Sequence, residues 1–464
     1  MHAEYMKIRK GNTYMQWMLS LLVNVGGLSY GFEAGWMSPI TRLLQSENSP
    51  TGNILSDTDV AWIASMMNLS AIVGVLVYRY ITDEYGRKMG LLWLAPPQLL
   101  SWIFKVIYPN TTTLIISRVF GGIAASGVFM TIPIYVKEIS EDHNRGALAT
   151  ILPIAQYIGV IIMYVLGTYL DYHHVVFCVI GVPVLMTILL MRAPESPNFL
   201  VKQGRIDDAL ECLALLRGLD KTDSRVMTEV ENMEKTDAIN KKRPEIPTLK
   251  IVNDKKWRKW VFYVGILFTL RSWNGSISIQ TYAVAVLYST GVTFTVSPEV
   301  LTFTFPVVMI VTSLLLTAFV ERFERKRLLS LAHLITGICM TVLSVGSLLQ
   351  YHGTEIPSWI PLVSIMIISA MYSAGVSPLP YVLVTEMFPF VIRAKVMSII
   401  SVYAWFSVFL ITFLHPILIT EMGSFGTYMM YGVINLFAAI FVIIFLPRTR
   451  GLSEAEIEKA MDTE

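Results

Sequence analysis

Charge is scarce in this chain. Only 15% of its 464 residues are Asp, Glu, Lys or Arg, where an ordinary soluble domain carries about a quarter. Cysteine is scarcer still. Cys178, Cys212 and Cys339 stand far apart, which excludes a metal-ligand spacing and any disulfide framework readable from sequence. No glycine loop suited to phosphates is present, which argues against ATP-driven work. No Ser, His and Asp set of a nucleophile is present either, so an enzyme is not expected. A net charge of +2 identifies no partner. No cofactor, metal or nucleic acid is expected.

Apolar residues are abundant instead, at 54%. They gather in twelve runs: 15–37, 60–81, 89–108, 112–136, 147–169, 174–192, 259–288, 298–320, 328–350, 358–385, 394–419 and 427–446. Each approaches or exceeds the length of about 20 residues that crosses a bilayer as a helix. The expected fold is therefore an all-α polytopic membrane protein. Its parts are a six-helix bundle over 1–192, a polar helical linker over 193–258, a second six-helix bundle over 259–446 and a tail over 447–464. The first run is long and continues into the Glu33 region, so it reads as a membrane span and not as a cleaved signal. Lys and Arg crowd the connections at 83–89, 137–146, 193–258, 321–327 and 391–396 and both tails. The alternate connections hold almost none, Arg42 excepted. The positive-inside rule then puts both termini in the cytoplasm.

The two halves repeat. DEYGRK (83–88) follows the second run and ERFERK (321–326) the eighth. Glu138 with Arg145 follows the fourth run, and Glu386 with Arg393 follows the tenth at the same spacing. PES (194–196) ends the sixth and PRT (447–449) the twelfth. Three signals in one order describe a parallel repeat of two bundles, a layout used by alternating-access transporters with a midplane binding site.

IPIYVKEIS with RGAL (132–148), APESPNFLVKQGR (193–205) and PLPYVLVTEMFP with Arg393 resemble the sugar porter family of the major facilitator superfamily. YGFEAGWMSP (30–39), GTYLDY (167–172) and GRIDDALECLALLRG (204–218) resemble its insect branch of trehalose and sugar transporters. The resemblance implies twelve spans in two pseudo-symmetric bundles and a secondary transporter for a sugar or related small polar solute. Uniport and proton symport are both compatible with it. It also implies a functional monomer in the lipid of the plasma membrane. A sensor or receptor that has kept the fold without the flux is the alternative.

The resemblance further implies a gate at the inner helix ends, formed by Arg87, Lys88, Glu138, Arg145 and Glu195 in one half and Arg325, Glu386 and Arg393 in the other. Glu324 replaces the family's usual glycine, and Arg448 replaces the glutamate of its PETKG ending. The two are expected to pair with reversed polarity. The sugar-binding positions carry over poorly: the glutamines of the seventh helix fall on Arg271 and Ser272, and the asparagine of the eighth on Met309. The polar groups left in reach are Gln156, Arg271, Asn274, Ser278, Gln280, Tyr282, Tyr381 and Trp405. On one unbroken helix Arg271, Asn274 and Ser278 would share a face.

Glu33 ends a run from Met15 to Tyr30 that has no charge at all. A carboxylate in a membrane helix costs about 2.5–3.5 kcal/mol on insertion scales, so it calls for a partner or a task. The family resemblance implies two roles for it, since many proton-coupled members carry an acid at this turn and Arg118 matches the arginine near it: proton coupling gated by Arg118, or a permanent ion pair with Arg118 or Arg271. Two arginines against one acid would leave the cavity net positive and suited to an anionic or strongly polar solute.

Overall fold

A computed structural model describes residues 11–242, 251, 253–319 and 323–447, and the described residues are helical without a strand. Nine helices among them are long and apolar enough to cross a membrane. Within the described residues each of the twelve apolar runs is helical over most of its length, and the difference in number has a local cause. Phe390–Phe445 holds the last two runs in one continuous assignment, interrupted at Gly423 with φ 71°. The first run is broken into Tyr14–Val23, Val25–Gly35 and Met37–Leu44. The seventh is broken into Lys255–Ser272, Ser276–Thr281 and Ala283–Ser289. Short pieces escape a length criterion although together they reach across.

The other spans are Asp57–Glu84, Arg87–Leu92 with Ala95–Ile107, Thr111–Ile139, Asp142–Ala149 with Ile151–Tyr169, and Tyr172–Val179 with Gly181–Leu190 in the first half. In the second half they are Pro298–Leu301 with Thr304–Phe319, Arg325–Tyr351, and Trp359–Met371 with Leu379–Met387. Their starts are fixed by side chains that satisfy orphan N–H groups. Ser56 and Asp59 form a reciprocal capping box on the second span. Asn110 Oδ1 accepts the Thr113 N–H at 2.9 Å on the fourth. The linker is helical over Pro197–Lys202, Ile206–Arg217 and Ser224–Lys242. Its second helix stops at Gly218, whose φ of 62° only glycine adopts freely. That helix buries Ala209, Leu213 and Leu216 against the first half.

The break in the seventh span follows from its sequence. Gly275 has φ 87° and ends the helix. Asn274 Oδ1 then accepts the Ser276 N–H at 3.0 Å, its Nδ2 donates to Ser276 Oγ at 3.0 Å, and its carbonyl accepts Asn435 Nδ2 at 2.9 Å. A Cβ on Gly275 would stand 2.7 Å from the Tyr431 ring. Gly275→Ala is therefore expected to lose about 1–2 kcal/mol from backbone strain alone, with crowding added. A thermal unfolding midpoint in detergent left unchanged would contradict this origin of the break.

The apolar core is divided unevenly. On the side away from residues 11 and 447, called the far side here, one cluster takes members from both halves. It includes Phe32, Trp36, Met37, Tyr164 and Val176 from the first and Ile279, Val286, Phe305, Ile411 and Tyr428 from the second. On the tail side each half keeps its own cluster, one around Leu19, Tyr135 and Leu213 and one around Trp260, Leu383 and Val442. Both halves thus share one apolar cluster at the far side and keep separate clusters at the tail side, where Arg79 Nη1 still reaches Ser398 Oγ across them at 3.5 Å.

Candidate functional site

Glu33 sits in the first span with 1% of its surface exposed. Close packing brings it there: a Cβ on Gly31 would lie 2.2 Å from the Gln156 carbonyl, so only glycine lets the first span touch the fifth. The carboxylate is fully engaged. Lys105 Nζ donates to both oxygens at 2.8 and 2.7 Å, Ser101 Oγ to Oε1 at 2.7 Å, and Arg118 Nη1 reaches Oε2 at 3.3 Å. Arg118 is held further by the Glu33 carbonyl at 2.7 Å and the Ile63 carbonyl at 3.2 Å. Lys105 Nζ lies 3.8 Å above the Trp102 ring and 4.9 Å above that of Trp36, contacts that favour a desolvated cation.

The pairing with Arg118 is the one expected, and Arg271 takes no part in it. Lys105 was not expected. It stands near the end of its helix, where a lysine ordinarily snorkels to the interface, yet it is 0% exposed. Its position inside the apolar run 89–108 was the available signal.

Arg271 is also buried, at 9% exposed, but in a different setting. It ends the first piece of the seventh span. Its Nε donates to the Ser377 carbonyl at 3.2 Å and its Nη2 to Ser377 Oγ at 3.3 Å. The acceptor lies in an irregular stretch of the tenth span, where Tyr372–Val376 forms a π turn and Pro378 and Pro380 lack N–H groups. The guanidinium is 5.2 Å above the Tyr381 ring. Tyr30 and Tyr157 of the first half and Tyr372 of the second are near enough to interact with its charge. Arg271 thus stands between the halves among four tyrosines. Trp405 and Phe129 meet across the same divide with ring centres 6.0 Å apart, and Phe129 packs edge-on against Tyr30 at 4.9 Å.

The remaining expected ligands divide. Gln156, Tyr381 and Trp405 are half-buried and belong to the spans around this divide. Asn274, Ser278 and Tyr282 are consumed by packing. Asn274 closes the helix break, Ser278 Oγ receives the Tyr431 hydroxyl at 3.4 Å, and the Tyr282 hydroxyl donates to the Thr412 carbonyl at 3.0 Å. The shared face with Arg271 fails because the helix is not continuous through Gly275. Gln280 accepts the Tyr164 hydroxyl on its carbonyl at 2.7 Å, while its buried Nε2 has no partner.

At the tail side the first half holds a dense ion network. Arg87 grips Glu138 with Nε and Nη2, both at 2.9 Å, and Ser196 Oγ donates to the same carboxylate. Glu195 accepts the backbone N–H groups of Arg87, Lys88 and Ser196 at 2.9, 3.0 and 2.8 Å. Burial pushes the Glu195 carboxyl above the ordinary range, and these three N–H groups pull the other way. Lys88 therefore contributes its backbone. Arg145 pairs with Asp142 at 2.7 Å and its Nη2 reaches the Ser140 carbonyl at 3.5 Å. In the second half Arg325 meets Glu386 at 3.1 Å, Glu324 meets Arg327 at 2.8 Å, and Arg393 Nε donates to the Phe388 carbonyl at 3.0 Å. Arg448, the expected partner of Glu324, lies outside the described residues.

Two helical halves that share one core at the far side, keep separate cores at the tail side and enclose polar groups between them define a secondary transporter of the major facilitator fold. The chain belongs to the Sugar (and other) transporter family, which it matches over residues 19–461, a family of membrane transporters and not of enzymes. A relative from Apis mellifera ligustica, the facilitated trehalose transporter Tret1, is 25% identical over 99% of this chain and 91% of its own length. The sugar transporter ERD6-like 6 of Arabidopsis thaliana is 28% identical over 94% of this chain and 88% of its own. The inward-open structure of the xylose transporter XylE from E. coli matches the fold with a TM-score of 0.78 at 20% identity. It covers 96% of this chain and 99% of that one.

Proposed function

We propose that this protein carries a sugar or sugar-like solute across a cell membrane by alternating access, as a facilitator without proton coupling. In this reading the tail side is cytoplasmic and the structure faces inward. The shared far-side core supports that orientation. So do the bonds that bridge the halves there: Val284 N–H to Ser38 Oγ at 3.2 Å, Tyr164 to Gln280, and Thr420 Oγ1 to Asp57 Oδ2 at 3.1 Å. The solute would sit by Arg271, Gln156, Tyr381 and Trp405. The charge pairs around Arg87 and Arg325 would serve as the inner gate, meeting across the halves when the far side opens.

The observation that carries the uniport reading is Lys105. A proton on Glu33 would leave Lys105 and Arg118 as two buried cations facing a neutral acid, a state with a large desolvation cost. Saturable uptake of labelled trehalose, glucose and glucuronate into proteoliposomes tests this. The rate is expected to be indifferent to an imposed pH gradient. Accumulation driven by that gradient would exclude uniport, and saturable binding with no flux of any of the three would mark a sensor.

A further inference from the structure

The buried charges of the membrane-crossing spans do not balance. Among the described residues they are Glu33, Lys105, Arg118 and Arg271, three cations against one acid. Glu33 absorbs its two neighbours in a closed cluster. Arg271 is left with no carboxylate within ion-pair distance. A guanidinium offers five N–H donors, and only two of its nitrogens are used here, both on Ser377, while Nη1 has no hydrogen bond. The hydroxyls of Tyr30, Tyr372 and Tyr381 enter no hydrogen bond among the described residues, and Gln280 Nε2 in the same span is a buried donor without a partner. A buried cation is stable only when paired, and a guanidinium pairs best with a planar two-oxygen anion.

We propose that the transported solute carries a carboxylate, and that Arg271 binds it. The chemical class is a polyhydroxy acid of monosaccharide size. Its carboxylate would dock on the open edge of Arg271, the tyrosine hydroxyls from both halves would donate to its oxygens, and Phe129 and Trp405 would cover its apolar face. A neutral sugar leaves the positive charge unanswered. The tyrosines also explain why an anion would couple the halves: Tyr30 comes from the first and Tyr372 and Tyr381 from the second, so closing around the solute would bring both sets onto it. This inference rests on the proposed transport reading for its direction of use, but binding alone is enough to test it.

D-glucuronate and D-glucose share a ring and differ at one carbon, where the first has a carboxylate. Both are offered to the purified full-length chain, in proteoliposomes for uptake and in detergent for a shift in unfolding midpoint. Glucuronate is expected to compete with labelled glucuronate at least tenfold better than glucose does. Arg271→Gln is expected to abolish that preference, and Arg271→Lys to keep part of it, since a point charge replaces the fork. Retention of the full preference in a folded Arg271→Gln variant, or equal binding of both sugars by the unaltered protein, would overturn the proposal. So would the absence of any glucuronate binding. Glucuronate binding without flux would uphold Arg271 as an anion site and refute transport. Glucose flux without an acid preference would do the reverse.

Discussion

Glu33→Gln is expected to lower stability by about 3–5 kcal/mol, the range for removing one partner of a buried ion pair, and Lys105→Met by much less. The asymmetry comes from the charge count. Without Glu33, two cations remain in a pocket where both are almost fully buried, beside carbonyls, rings and the Ser101 hydroxyl and no other acid among the described residues. Without Lys105, the acid and Arg118 remain as a matched pair at 3.3 Å, and methionine fills the space of the lysine stem against Trp102. The loss is then three charge-assisted hydrogen bonds, two to Glu33 and one to Ser101, offset by the removal of one buried charge. Unfolding midpoints in detergent for both variants give the comparison. A stable Glu33→Gln protein that has lost response to a pH gradient would instead make Glu33 a proton carrier.

The second large effect is expected at the tail side. Arg87→Ala should destabilise by about 2–4 kcal/mol and Arg325→Ala by about 1 kcal/mol or less. Both residues follow the same repeated motif, so sequence alone treats them alike. Their surroundings differ. Arg87 and Glu138 are 14% and 11% exposed and joined by two parallel bonds, so truncation strands a half-hidden carboxylate. Arg325 and Glu386 are 19% and 26% exposed and meet at 3.1 Å, closer to the regime in which water screens an ion pair. Equal losses in the two variants would mean that the halves are latched symmetrically.

The number of spans and the doubled charge motifs were legible because hydrophobic length and repeated spacing are local properties of the chain. That Glu33 needs a cation could be expected because it ends an uncharged apolar run; Arg118 and Arg271 were both named for it, Arg118 through the family resemblance, and the structure pairs it with Arg118. What escaped was set by three-dimensional detail. Lys105, inside the run 89–108, was passed over; the structure buries it, and the Tyr172 hydroxyl donates to its carbonyl at 2.9 Å. Asn274 and Ser278 looked like cavity residues because helical periodicity was carried through Gly275, and a single left-handed residue cancels that periodicity. Arg145 entered the expected inner gate through the family resemblance, without a named partner; in the structure it pairs with Asp142, while Arg87 and Ser196 engage Glu138.

The unequal division of the core has a thermal consequence. Turning the molecule inside out would open the shared cluster at one mouth and bring the two separate ones together at the other, so the poise between the two facings depends on apolar association. That association weakens on cooling, because the heat capacity of hydrating apolar surface is large. Chilled membranes should therefore favour the facing that buries less hydrocarbon, and the resting orientation of this carrier would drift with the temperature of its host.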